Sequence, residues 1–225
     1  MAQQLGFDLP VRTALGREDF FVSPANALAV AMIEGWQTWP SRKLLLIGPA
    51  GAGKTHLAHV WAAESGARIV AATGLADADI PALSQSPVAV EDADRIAGDP
   101  AAEEALFHLH NLVLAEGHSL LLTASAPPQH WGLTLPDLQS RMQGTQAATL
   151  SPPDDQLLGA VLLKLFSDRQ INPTPDALNH LIKHITRDFA TARAVVAEMD
   201  RTALADRRRI SMALARDVLA RIDAG

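Results

Sequence analysis

Gly48-Pro49-Ala50-Gly51-Ala52-Gly53-Lys54-Thr55 fits the pattern G-x-x-x-x-G-K-[ST]. A short apolar run, Lys43 to Ile47, leads into it, and a helical pattern from about Lys54 to Ser65 follows. A glycine-rich turn in that frame cradles phosphate, because successive backbone N–H groups turn toward an anion and the helix N-terminus adds its positive end. Lys54 would reach the β- and γ-phosphates, and Thr55 would offer its hydroxyl to Mg²⁺. The stretch predicts a nucleotide site on a strand–loop–helix unit.

Working outward, 26–39 has helical apolar spacing that Pro40 ends, and 101–115 reads as a second such helix. Residues 68–72, 88–90 and 119–123 are short runs apolar on both faces. Strands of that kind separated by helices predict an α/β fold, a parallel sheet covered on two sides in three layers, αβα. Pro87-Val88-Ala89-Val90-Glu91-Asp92 ends a strand on two acids, the place where nucleotide hydrolases hold Mg²⁺ and orient water. Glu91 would hold the metal through water, with Asp92 beside it. Glu91 is one methylene longer than the usual Asp, which predicts slow hydrolysis.

Past Leu150 the pattern changes. Ser151-Pro152-Pro153 breaks the chain, and 154–168, 174–186, 190–206 and 211–222 are all helical in spacing. Pro175 suits an early helical position and Ser211 can cap the last helix. The expected organisation is an arm (1–16), a nucleotide-binding base (17–150) and a small all-α four-helix lid (151–225).

Of the 225 residues none is Cys, so thiolate catalysis and thiolate zinc sites are excluded. The formal charge of −6 is uneven: residues 1–150 carry 8 Lys/Arg against 15 Asp/Glu, and 151–225 carry 11 against 10. An acidic body holds nucleic acid poorly, since phosphate neutralisation dominates that affinity. No secretory signal and no membrane-length apolar run is present, so a cytoplasmic protein is expected. His108, His110 and His118 lack metal-site spacing. Arg207-Arg208-Arg209 suits a helix end, and Trp36, Trp39, Trp61 and Trp131 read as packing anchors.

Several stretches together resemble the AAA+ domain of the bacterial replication initiator DnaA. Phe20-Phe21-Val22-Ser23-Pro24-Ala25-Asn26 is similar to its adenine-side segment, F-V-x-G-x-x-N, with Ser23 in place of Gly. The phosphate motif runs on as Gly53-Lys54-Thr55-His56-Leu57, as the initiator's does. Glu103 to Asn111, then Leu120 to Pro128, matches that family's helix–strand–Pro-Pro run, and Leu138-Gln139-Ser140-Arg141-Met142 resembles L-x-S-R-F.

The resemblance implies a P-loop AAA+ base with a helical lid, binding ADP or ATP with Mg²⁺ through Phe21, Val22, Asn26, Gly48 to His56 and Arg193. Arg193, in Thr191 to Val196, falls where the family has its sensor II, and Ser125 where the initiator has its sensor I Asp. Arg141 matches the arginine finger, placed after the sheet's last strand. Residues 69–94, which span the initiator's single-strand DNA grip, contain no Lys or Arg. The helices reach the chain end at Gly225, so neither sequence-specific DNA binding nor a helix-turn-helix domain is expected.

Gln4-Leu5-Gly6-Phe7-Asp8-Leu9 resembles the Q-L-x-L-x-L peptides that dock in the DNA polymerase sliding clamp. Leu5, Phe7 and Leu9 alternate, so an extended strand presents them on one face while Gln4 anchors by hydrogen bonds. An arm of this kind on an initiator-type AAA+ domain is similar to the Hda/HdaA family. The likeness implies a regulator of replication initiation that docks on the clamp and stimulates ATP hydrolysis by the initiator DnaA. Its own turnover would be weak, a homodimer is plausible, and no membrane is involved. The competing reading is a helicase-loader ATPase of the DnaC type, for which a 16-residue arm leaves little room.

Overall fold

The computed structural model describes residues 21–222. In β1 (Lys43–Ile47) every residue is buried, as a strand covered on both faces requires. β2 (Arg68–Ala71), β3 (Val88–Glu91), β4 (Leu120–Ala124) and β5 (Ala147–Thr149) join it in one parallel sheet of order β2-β3-β4-β1-β5. Alternation sorts the side chains into two cores. Leu44, Leu46, Ala89 and Leu121 pack with Ile33 of α1 (Ala27–Glu34) and with Leu57 and Trp61 of α2 (Lys54–Ser65). Leu45, Val88, Val90, Leu120 and Leu122 face the other way, toward Leu106 and Leu109 of α4 (Pro100–Ala115) and Leu138 of α5 (Pro136–Gln143). A one-turn helix, α3 (Ile80–Leu83), lies between β2 and β3.

α6 (Asp155–Asp168), α7 (Pro175–His184), α8 (Phe189–Asp206) and α9 (Met212–Ile222) build a separate apolar core around Leu162, Phe166, Leu181, Val195, Met199 and Val218. Side-chain caps from Asp154, Thr174 and Asp188 start the first three of these helices.

Two expectations change. The pattern over 26–39 stops as α-helix at Glu34, because Gly35 ends it and tight 3₁₀ turns follow over Trp36–Thr38 and Pro40–Arg42. Trp39 then folds back, its indole N–H donating to the Met32 carbonyl (2.6 Å) and its ring stacking on Trp61. In addition α5 and β5 lie between β4 and the lid, where no element was expected. Among the described residues no helix is long and apolar enough to cross a membrane.

Candidate functional site

All five strands being parallel, their carboxyl ends open on one edge of the sheet. β1 ends at Ile47 and the chain turns through Gly48 to Gly53 into α2. The Gly48 N–H donates to the Ala124 carbonyl at the end of β4 (3.1 Å), and Leu150 N–H donates to the Ile47 carbonyl (2.7 Å). Gly51 (φ 74°) and Gly53 (φ 100°) adopt left-handed backbone that side chains resist. Within the loop Pro49 and Ala50 are exposed and Ala52 is buried.

Lys54 is only 8% exposed. Its ammonium donates to the Gly48 carbonyl (2.7 Å) and the Pro49 carbonyl (3.0 Å), so the cation lies within the loop itself. Burial lowers its pKa, opposed by Asp92, Asp94 and Glu91. Thr55 is exposed at the start of α2 and His56 is half-buried beside it.

Glu91 closes β3, and its buried Oε1 has no hydrogen-bond partner among the described residues. A carboxylate oxygen left without a donor beside the phosphate loop suits a hydrated cation. Asp92 takes a left-handed backbone (φ 54°), its N–H donating to Thr123 Oγ1 (3.0 Å) and its carboxylate pairing with Arg95 (3.4 Å). Ser125 follows β4 and donates both its N–H (2.9 Å) and its hydroxyl to the Asp94 carboxylate. A carboxylate, that of Asp94, therefore stands directly against Ser125, though nothing local in the sequence pairs the two.

Just before α1, Asn26 is buried, its side-chain N–H₂ donating to the Phe21 carbonyl (2.9 Å) and its oxygen accepting from Ser23 N–H (2.8 Å). Asn26 thus shapes the loop, leaving Phe21 and Val22 exposed upon it. The lid meets the phosphate loop directly: Phe189 N–H donates to the Gly51 carbonyl (3.1 Å). A Cβ on Gly51 would come within 2.4 Å of the Asp188 Cβ, and one on Gly53 within 3.1 Å of the Phe189 ring. Arg193 is exposed one turn further along α8, on the face of Phe189. Helical side chains lean toward the N-terminus, which for Arg193 is the direction of the loop. Asp188 and Phe189 went unnoticed in the sequence, since a helix cap and a lone aromatic carry no phosphate signature.

Arg141 is placed differently from expectation. It precedes the last strand, in the final turn of α5, and is exposed. Its carbonyl accepts from the ammonium of Lys43, the first residue of β1 (3.2 Å), and from Thr145 Oγ1 (2.9 Å). Arg141 therefore stands at the amino edge of the sheet. β1, rising about 3.3 Å per residue, separates that edge from the chain's own phosphate loop by about 13 Å. Lys43, 8% exposed, also bonds His110 Nε2 (3.2 Å), and no carboxylate among the described residues pairs with it. Burial, helped by the Lys43 and Arg141 charges and opposed by Asn111, pushes His110 down to about 4. Gln4, Leu5, Phe7 and Leu9 lie outside the described residues, as does Phe20.

No protein-family profile matches the chain. Among solved structures it is similar to domain III of the Thermotoga maritima replication initiation protein DnaA, at TM-score 0.81 and 17% identity, covering 94% of this chain and 98% of that one. The fold is that of an AAA+ domain. AMPPCP-bound DnaA from Aquifex aeolicus follows at TM-score 0.69 and 16% identity, over 80% of this chain and 63% of that one. A RuvB variant from Thermotoga maritima matches at TM-score 0.68 and 17% identity, over 88% of this chain and 68% of that one. At these identities the likeness establishes the AAA+ architecture of base and lid. The chemistry is argued from the residues.

Proposed function

We propose that the chain is a nucleotide-bound AAA+ regulator of chromosomal replication initiation, related to the Hda/HdaA proteins. It docks on the DNA polymerase sliding clamp through Gln4, Leu5, Phe7 and Leu9, and it stimulates ATP hydrolysis by the initiator DnaA. ADP or ATP lies on Gly48 to His56, with Phe21 and Val22 over the base and Arg193 reaching down from the lid. Mg²⁺ adds positive charge to offset the phosphates; Thr55 would hold it directly and Glu91 through water.

One observation carries the reading. Arg141 is exposed at the edge of the sheet opposite the chain's own phosphates. An arginine so placed serves a neighbour's γ-phosphate, where it stabilises transition-state charge and contributes roughly 10³- to 10⁵-fold in rate. The chain's own hydrolysis stays slow, because Glu91 stands where a shorter acid is usual and Asp92 is engaged by Arg95.

The test has two arms. Purified chain should bind the sliding clamp at micromolar concentration or tighter, and Gln4→Ala with Leu5→Ala should abolish it. Arg141→Ala should keep clamp binding yet lose the stimulation of the initiator. No binding by intact protein, with ADP or ATP present, would remove the clamp assignment.

A further inference from the structure

The helix that carries Arg141 is short, eight residues, and its side-chain capping is absent: Leu135 stands at the N-cap position and offers no acceptor. A helix this short frays unless something outside it supplies the missing partners. Here buried charges do so at both ends. Glu103, on α4 and fully buried, accepts from Thr134 N–H (2.9 Å), Thr134 Oγ1 (2.9 Å) and Leu135 N–H (2.7 Å), where α5 begins. It also accepts from Gly98 N–H (2.9 Å). At the other end Lys43 donates to the Arg141 carbonyl.

The signs match the helix. A carboxylate at the start and an ammonium at the end each oppose the local end of the α5 dipole. Lys43 is anchored in turn by His110, seven residues after Glu103 on the same helix and so on nearly the same face. α4 therefore addresses both ends of α5, from Glu103 directly and from His110 through Lys43. Leu138 and Met142 fill the core between them. The result is a backbone fixed from inside under a side chain that is exposed outside.

A buried ammonium without a carboxylate is costly to fold and adds nothing that an apolar residue could not add by packing. We propose that Lys43 and Glu103 form a two-ended brace whose task is to position Arg141 for a nucleoside triphosphate held by a neighbouring subunit. The inference rests on the reading of Arg141 given above. Lys43 and Glu103 are positioning residues: they touch α5 and act through it.

The test uses the full chain with clamp loaded on DNA and ATP-bound initiator, titrating the regulator so that maximal rate and half-saturation separate. ADP binding by the regulator and its melting temperature are measured alongside. Lys43→Met should lower the maximal stimulated rate roughly 10- to 100-fold, the scale of an ångström-sized misplacement. Half-saturation and ADP affinity should not change, and Lys43→Arg should recover part of the rate. Lys43→Met at full rate beside an inactive Arg141→Ala would overturn the brace and leave the finger standing. Arg141→Ala at full rate would remove the finger, and the brace with it. Rate, ADP affinity and melting temperature falling together would make Lys43 a plain stability residue, which also overturns the proposal. If Lys43→Met does not fold, Glu103→Gln carries the same test, with the same rate drop expected and a full rate overturning it.

Discussion

Lys43 begins β1 and the ammonium of Lys54 reaches back to the carbonyls just past its other end, which makes a natural comparison. Each is 8% exposed, and burial lowers the pKa of both. Lys54 donates to carbonyls of its own loop and is surrounded by Glu91, Asp92 and Asp94. Lys43 bonds a neutral His110 and the end of another helix, with the Arg141 charge nearby and no acid opposite. The acids oppose the effect of burial on Lys54, and its partners are carbonyls that a phosphate oxygen can replace. Lys43 holds partners that nothing replaces. Equal burial therefore says little about function; what a buried charge is bonded to says much more.

The comparison can be broken in four places. Lys54→Ala should weaken Mg-ADP binding most, by roughly 1,000-fold or about 4 kcal/mol, because the charge-assisted contact to phosphate is lost. Titration with a fluorescent ADP analogue checks this, and the apo chain should melt nearly where it did before.

The Lys43 end should instead respond to acid. His110 titrates near 6.5 when unfolded and about 4 when folded, so the unfolded chain binds the extra proton between those values. Stability is fully present above about 6.5 and falls as pH drops toward 4, by about 3 kcal/mol in all. Urea midpoints at neutral and acidic pH should show this dependence, and His110→Asn should flatten it.

Gly51→Ala should cost about 2 kcal/mol, combining positive φ with the collision against Asp188. Thermal melts read the cost, and a companion Asp188→Gly change should recover part of it. Asp188→Ala alone should cost about 1 kcal/mol, the value of a lost helix cap over Thr191. A loss of nucleotide affinity beyond that would mean that Asp188 does more at the loop than start α8.

Much of this architecture was legible in the sequence, and for a physical reason. The run Lys43 to Ser65 combines a fully buried strand, obligatory glycines and a helix of ordinary length, so local and tertiary preferences agree there. The helices of the lid carry their own caps and apolar faces. α5 and β5 were illegible because β5 has three residues with one buried, and α5 depends on Glu103 and Lys43 for its ends. Nothing in the local spacing around Glu103 or Lys43 marks either one as a partner of α5. Asp94, two positions past the expected Asp92, gained its partner only when β3 and β4 came together. Such pairings exist across the sheet and leave no local spacing to detect.

One joint has a mechanical consequence. Three backbone links tie the base to the lid: Leu150 N–H to the Ile47 carbonyl at the end of β1, Ser151 N–H to the Ala25 carbonyl before α1, and Phe189 N–H to the Gly51 carbonyl in the phosphate loop. Base and lid are thus stitched together at the segment before α1, at the end of β1 and at the phosphate loop. The pivot lies inside the socket. Any rocking of the four helices strains the same bonds that hold these loops, so the shape of the phosphate loop and the angle of the lid are coupled.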